Sequence, residues 1–137
     1  MSTAFVAALA CAGLSGCTNE DTLTIKHNDA RKAVGLPALW REGGAPEAWA
    51  KAHSQAMANA GALFHTSPLT NFGWGAGWRI LGENVGVAGQ GDMDGLFNAF
   101  MNSPEHRANI LSGRYTHFAI GCVDQGGRTW CTVGFKG

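Results

Sequence analysis

Phe118-Ala119-Ile120-Gly121-Cys122-Val123-Asp124-Gln125-Gly126-Gly127-Arg128-Thr129-Trp130-Cys131-Thr132-Val133-Gly134-Phe135 is the stretch that decides the fold. Phe118, Ile120 and Cys122 share one side of a period-two pattern. Cys131, Val133 and Phe135 share one side of another, with Gly126-Gly127 between the two. A two-residue Gly-Gly turn pairs 122 with 131, 120 with 133 and 118 with 135. The predicted strands run over 115–123 and 128–135, and both thiols land opposite each other on the apolar face. Directly opposed strand residues hold their Cβ atoms about 4.5–5.5 Å apart, within reach of a disulfide. A Cys122–Cys131 bridge closes a short loop, so its stabilisation is on the order of 2–3 kcal/mol.

Upstream of this hairpin the periodicity becomes helical. Leu23, Ile25, Ala30, Ala33 and Val34 follow a first helix from Thr22 that stops at Gly35 and Pro37. Pro46 opens a second, whose face carries Trp49, Ala52, His53, Ala56, Met57 and Ala60 and which ends at Gly61. Between Thr66 and Gly82 the chain turns to Ser, Pro, Asn and Gly with Phe72, Trp74 and Trp78, an ordered loop anchored by its aromatics. Asp92 caps a third helix through Leu96, Phe97, Phe100 and Met101 to Asn102, and Pro104 either closes it or starts the next turn. Helices first and strands last give an α+β class, with helices packed on a small antiparallel sheet.

The chain has 137 residues, enough for one domain with a real core and too few for two. Its formal charge is zero, with ten basic and ten acidic residues scattered along it, so no basic stripe tracks phosphates and nucleic acid is not expected as a partner. The first residues read as an address. Ala4 to Leu14 is small and apolar, the length of a signal-peptide core and too short to span a bilayer. Leu14-Ser15-Gly16-Cys17 looks like a bacterial lipobox, which predicts cleavage after residue 16, lipidation of Cys17 and a mature domain of 17–137. Met1-Ser2-Thr3 lacks the positive charge such a leader normally carries. With Cys11 and Cys17 assigned to the leader, Cys122 and Cys131 are the only thiols of the folded part, and their pairing fits an oxidising compartment outside the cytoplasm.

Several spaced motifs carry a family likeness. They are His27-Asn28-Asp29-Ala30-Arg31, Gly35-Leu36-Pro37-Ala38-Leu39, Ala52-His53-Ser54 with Met57-Ala58, Gly61-x-Leu63-x-His65, Gly82-Glu83-Asn84, and Ser103-Pro104-x-His106-Arg107-Ala108-Asn109-Ile110-Leu111. Over about residues 25–135 the chain resembles a bacterial member of the CAP superfamily, the group of cysteine-rich secretory proteins, insect venom antigens and pathogenesis-related plant proteins. The resemblance implies a three-layer α-β-α sandwich with a central cleft and an extracellular or cell-envelope location. It also implies a cleft tetrad of two His and two acidic residues. His65 and Glu83 match the first His and the first acid. Arg114 stands where eukaryotic members have the second His, and Phe100-Met101-Asn102-Ser103 offers no acid at the remaining position. His106 is the expected replacement facing the cleft, with Glu105, His117 and Asn84 as accessory candidates.

Two imidazoles and a carboxylate suit three chemistries. A His beside a carboxylate changes charge near neutrality. His65, His106 and Glu83 have the composition of a zinc site with an open position, so a divalent metal is a candidate cofactor. A base poised near neutrality also serves hydrolysis. No catalytic residue is assigned, because there is no His-Glu-x-x-His helix, no Gly-x-Ser-x-Gly elbow and no spare Cys. The spacing pairs none of Ser54, Ser67, Ser103 or Ser112 with a base. A purely structural reading stands beside these: Glu83 accepts from backbone amides and an imidazole to hold the Trp-rich loop, His53 sits at the core edge, and Arg107 and Asn109 tie backbone groups near the third helix. The favoured function is a non-catalytic extracellular binding module for a small apolar ligand, a divalent metal or a peptide. The alternatives are a metal-assisted or His/Glu hydrolase, and a structural domain whose partner is a cell-envelope component, held at the membrane by the Cys17 lipid.

Overall fold

A computed structural model describes residues 16–137; the leader assigned to 1–16 lies almost wholly outside them. Four helices, four strands and one 3-10 turn follow in the order α1 (Asn19–Ala33), β1 (Trp40–Arg41), α2 (Gly44–Ala60), the turn Leu69–Phe72, β2 (Leu81–Gly89), α3 (Met93–Met101), α4 (Pro104–Ile110), β3 (His117–Gln125) and β4 (Arg128–Lys136).

Two of the helices, α1 and α3, begin where a side chain satisfies a free amide. Thr18 caps α1: its hydroxyl accepts from the Asp21 N–H at 3.1 Å, and the Asp21 carboxylate accepts from the Thr18 N–H at 3.1 Å. Asp92 caps α3 through the Gly95 N–H at 2.9 Å. Gly61 ends α2 at φ 63°, a left-handed conformation that a side chain would strain. Pro104 neither extends α3 nor merely stops it, but opens the separate helix α4.

The sheet runs β1-β3-β4-β2, with β4 antiparallel to both its neighbours. The hairpin register is the predicted one, 122 with 131, 120 with 133 and 118 with 135. Gly126 and Gly127 make the turn at φ 64° and 75°. Cys122 and Cys131 are bridged across it, their Cα atoms 4.2 Å apart as at a closely spaced, non-hydrogen-bonded pair. Two features differ from the expected pair of strands. β1 joins β3 in parallel through Trp40 and Arg41. β2 is a full nine-residue strand on the far edge, and its glycines conceal it in the sequence. A Cβ at Gly82 would stand 2.1 Å from the Tyr115 hydroxyl, and one at Gly86 would stand 2.6 Å from Leu96 Cδ1, so both positions exclude side chains where other elements press on the strand.

Two faces of the sheet give the three layers. Phe118, Ile120, Cys122, Cys131, Val133 and Phe135 meet Leu23 of α1, Leu96, Phe97 and Phe100 of α3 and Ile110 of α4. On the opposite face α2 lies so close that a Cβ at Gly121 would stand 2.2 Å from the Lys51 nitrogen. There the Ser54 hydroxyl lies 2.7 Å from the Gly121 carbonyl and 2.8 Å from Thr132 Oγ1.

One buried cation crosses the helical layer. Arg31 is almost wholly enclosed, and its guanidinium donates to the carbonyls of Pro37 (2.9 Å), Ile110 (3.0 Å), Ser112 (2.7 Å) and Tyr115 (3.5 Å). The carbonyls at 110 and 112 belong to the C-terminal end of α4, the negative pole of that helix, which suits a cation that pairs with no carboxylate among the described residues. Cys17 sits half-buried ahead of the Thr18 cap. Replacing Arg31 with Met should leave several buried carbonyls unpaired and lower stability by about 3–4 kcal/mol, read as a shifted denaturation midpoint with an unchanged slope.

Candidate functional site

The site forms where the segment after α2 meets the edge strand β2. Gly61 turns the chain out of α2, and His53 of that helix then tethers it. The His53 Nε2–H donates to the Phe64 carbonyl at 2.7 Å, and the two rings meet edge to face at 5.1 Å. His53 is thus a buried anchor rather than a ligand-facing group.

Glu83 lies on the α2 side of β2. Its Oε1 accepts from His65 Nδ1–H at 2.7 Å and from the Thr66 N–H at 2.9 Å. Its side chain is 1% exposed while that of His65 is 63% exposed, so a sealed carboxylate orients an open imidazole. Oε2 is buried and has no protein partner. Because Nδ1 carries the proton toward Glu83, Nε2 is the ring nitrogen left to face outward. Leu63 and Phe64, 47% and 42% exposed, stand next to it in the chain as an apolar shoulder. On the inner side, Trp49 Nε1–H donates to Thr66 Oγ1 at 3.2 Å and fixes the same segment to α2.

His106 reaches this neighbourhood from α4 on the other side of the strand. The Asn84 amide donates to the His106 carbonyl at 3.0 Å. Asn109 donates to Asn84 Oδ1 at 2.9 Å and to the Glu83 carbonyl at 3.3 Å, and the Tyr115 hydroxyl donates to Asn109 Oδ1 at 3.4 Å. These amides weld α4 to β2. Asn109, placed in the sequence reading at the end of the third helix, instead belongs to this α4–β2 seam. His106 packs on Phe100 at 5.0 Å between ring centroids. Burial pushes its imidazole below the ordinary histidine range, the charge of His65 pushes the same way, and Glu105 partly offsets both. The two imidazoles therefore feel each other electrostatically.

Other sequence expectations fall elsewhere. Glu105 is exposed on the first turn of α4 and acts on His106 only through its charge. His117 is two strands away from β2, in the cross-sheet row formed by Trp40, His117, Lys136 and Leu81. It lies 2.7 Å from Thr116 Oγ1 and 5.4 Å from the Trp78 ring, and burial followed by Lys136 pushes its imidazole down. It belongs to a separate cluster that the sequence did not suggest. In that cluster the buried Lys136 ammonium pairs with Glu42 and lies 3.7 Å and 4.8 Å from the Trp78 and Trp74 ring centres. Ser103 does pair with a base, contrary to the spacing argument: its hydroxyl meets His106 Nδ1 at 2.7 Å within the first turn of α4.

Zinc is tested by the donor set itself. Among the described residues no three His, Cys, Asp or Glu side chains are disposed to hold one metal ion. His65 Nδ1 and Glu83 Oε1 are committed to each other, and Glu83 Oε2 is sealed from solvent. The residues present do not fit a resident zinc ion, and no step of the chemistry is routed through one.

An α-β-α sandwich with a His-carboxylate pair beside its edge strand defines a CAP-type domain. The chain belongs to the cysteine-rich secretory protein (CAP) family, whose profile matches residues 24–135. It is 34% identical over 83 residues to YkwD of Bacillus subtilis, a match covering 56% of this chain and 32% of that protein, so the matched region spans about a third of the relative's length. In fold it is similar to an outer surface protein of Borrelia burgdorferi, at a TM-score of 0.74 and 17% identity over 86% of this chain and 91% of the other. It is also similar to an extracellular protein containing an SCP domain from Bacillus anthracis, at 0.70 and 25% over 86% and 40%. No helix among the described residues is long and apolar enough to cross a membrane.

Asn109→Ala should strand the Glu83 carbonyl and Asn84 Oδ1 together. The expected loss is about 1–3 kcal/mol by denaturant titration, and a change within about 0.5 kcal/mol would show that the amide seam is dispensable.

Proposed function

We propose that this protein is an exported, non-catalytic binding module that holds a small amphipathic ligand at the edge of β2. The single observation that carries the reading is an open imidazole, His65, locked by a sealed carboxylate and flanked by exposed Leu63 and Phe64. Such a surface offers one oriented polar contact at Nε2 beside apolar area. That combination suits a ligand with a hydroxyl head and a hydrocarbon body. His106, held low in charge, supplies a second imidazole without adding a repelling cation. Export is supported by the leader-like residues 1–16, by the hairpin disulfide, and by relatives described as extracellular or outer-surface proteins. The Cys17 lipid anchor belongs to the same proposal, with the mass of protein extracted from native membranes as its measure: a diacylglycerol-sized increment supports anchoring, and an oxidised, unmodified Cys17 refutes it. A peptide or cell-envelope component is the rival occupant of the same edge.

The ligand reading is tested with 1-dodecanol as probe, followed by amide chemical shifts. Shifts centred on 63–66 and 83–84 that vanish in His65→Ala are expected. A wild-type protein with no shifts at these residues overturns the proposal. Zinc chloride added in calorimetry should give no saturable heat at micromolar concentration, and a one-to-one isotherm lost in both His65→Ala and His106→Ala would replace the amphipathic ligand with a metal.

One observation favours a hydrolase as second reading, the Ser103–His106 hydroxyl-imidazole contact. Against it, the two residues lie three apart at the start of one helix, where a hydroxyl commonly engages the following turn. Among the described residues no carboxylate hydrogen-bonds to His106 to orient it as a base. Hydrolysis of p-nitrophenyl butyrate should be equal in wild type and Ser103→Ala, and a rate that falls at least tenfold in the variant would establish the enzyme.

A further inference from the structure

We infer that His27 is an acid-sensitive latch that keeps α1 on the sheet. The imidazole is fully buried. It lies within 5.2 Å, 5.6 Å and 6.1 Å of the Phe97, Phe118 and Phe135 ring centres, on α3, β3 and β4 respectively. Its Nδ1 is 2.7 Å from the Leu23 carbonyl, which can only accept, so Nδ1 carries the proton and Nε2 is bare. Nε2 is buried with no protein partner. An added proton must go to Nε2, where the surrounding phenyl rings offer no oxygen to receive its N–H and no anion to balance its charge.

The charged and titratable groups around the ring make protonation harder. On α1 the buried Arg31 guanidinium is one turn further on and opposes a second cation. Lys26 is drawn outward to the exposed Asp94 of α3. Tyr115, stacked on Phe135 at 5.2 Å, has its phenol pushed up by burial and stays neutral. His106, at the Phe100 end of the layer, is itself held low. His117 and Lys136 lie on the opposite face of the sheet. Burial, reinforced by Arg31 and partly offset by the Leu23 bond, pushes His27 down to about 4 from 6.5.

The sign follows from linkage. A closed state that binds the proton less tightly than the open one keeps its full stability above about pH 6.5, and loses it as pH falls toward about 4. Opening also has a defined consequence. α1 carries Arg31, which holds the carbonyls of Ile110 and Ser112 at the end of α4, and the start of α4 carries Ser103 and His106. Acid therefore loosens the helical layer behind the site, whatever ligand that site takes.

Amide hydrogen exchange of the full chain, corrected for intrinsic rates, reads the open-to-closed ratio over 23–31. Between about pH 7 and about pH 5, above most carboxylate titration, that ratio should rise roughly twentyfold in wild type and stay level in His27→Leu. Glu20, which ties α1 to the Cys122 N–H at 2.9 Å, is present in both proteins and is controlled by the comparison. An equal rise in His27→Leu overturns the latch. If that variant fails to fold, the wild-type imidazole signal decides: a ring that stays neutral and Nδ1-protonated to about pH 5 supports the latch, and one that titrates near 6.5 while α1 remains protected sinks it.

Discussion

A guanidinium that pairs with no carboxylate among the described residues organises the helical layer. Arg31 directs its donors to four carbonyls drawn from the loop after α1, the end of α4 and the segment just before β3. None of these groups could be buried alone, since a sequestered carbonyl without a donor costs about as much as a lost hydrogen bond. Together they satisfy one another, and the cation draws further support from the exposed pole of a short helix. The position of α4 follows from this knot, and with α4 the position of His106.

The site uses the same economy at the sheet edge. β2 has only one strand neighbour, β4, and its outer side is managed by side chains. Asn109 takes the Glu83 carbonyl, while Asn84 takes the His106 carbonyl. Because strand side chains alternate, Glu83 points toward α2 and Asn84 toward α4. Consecutive residues thus fasten the His65 segment on one side and the His106 helix on the other. That alternation fastens two segments separated by forty residues to neighbouring positions of one strand.

Much of the architecture was legible because it depends on near neighbours. The hairpin register and its disulfide follow from a Gly-Gly turn with alternating apolar residues on each side. The limits of α2 and α3 follow from Gly61 and Asp92. β2 was not legible, because Gly82 and Gly86 interrupt its pattern for reasons located in Tyr115, Leu96 and Phe100. Of the candidate residues, Glu83 and Asn84 lie on β2, His65 bonds to Glu83, and the backbone of His106 bonds to Asn84. His117 does not, since a histidine three residues after Arg114 looks equivalent in sequence but faces the Trp78–Lys136 cluster.

What the sequence by itself determined was the first three helices, the hairpin pairing and the family likeness, all of which rest on spacing along the chain. Only the tertiary structure decided that Glu83 is sealed while His65 is open, that Ser103 engages His106, that Arg31 pairs with no carboxylate among the described residues, and that His27 is enclosed by phenyl rings. The physical reason is that burial and hydrogen-bond partnership are properties of groups remote in sequence. The same side chain is a solvent-facing ring, a tether or a buried neutral ring according to what the fold places against its second nitrogen.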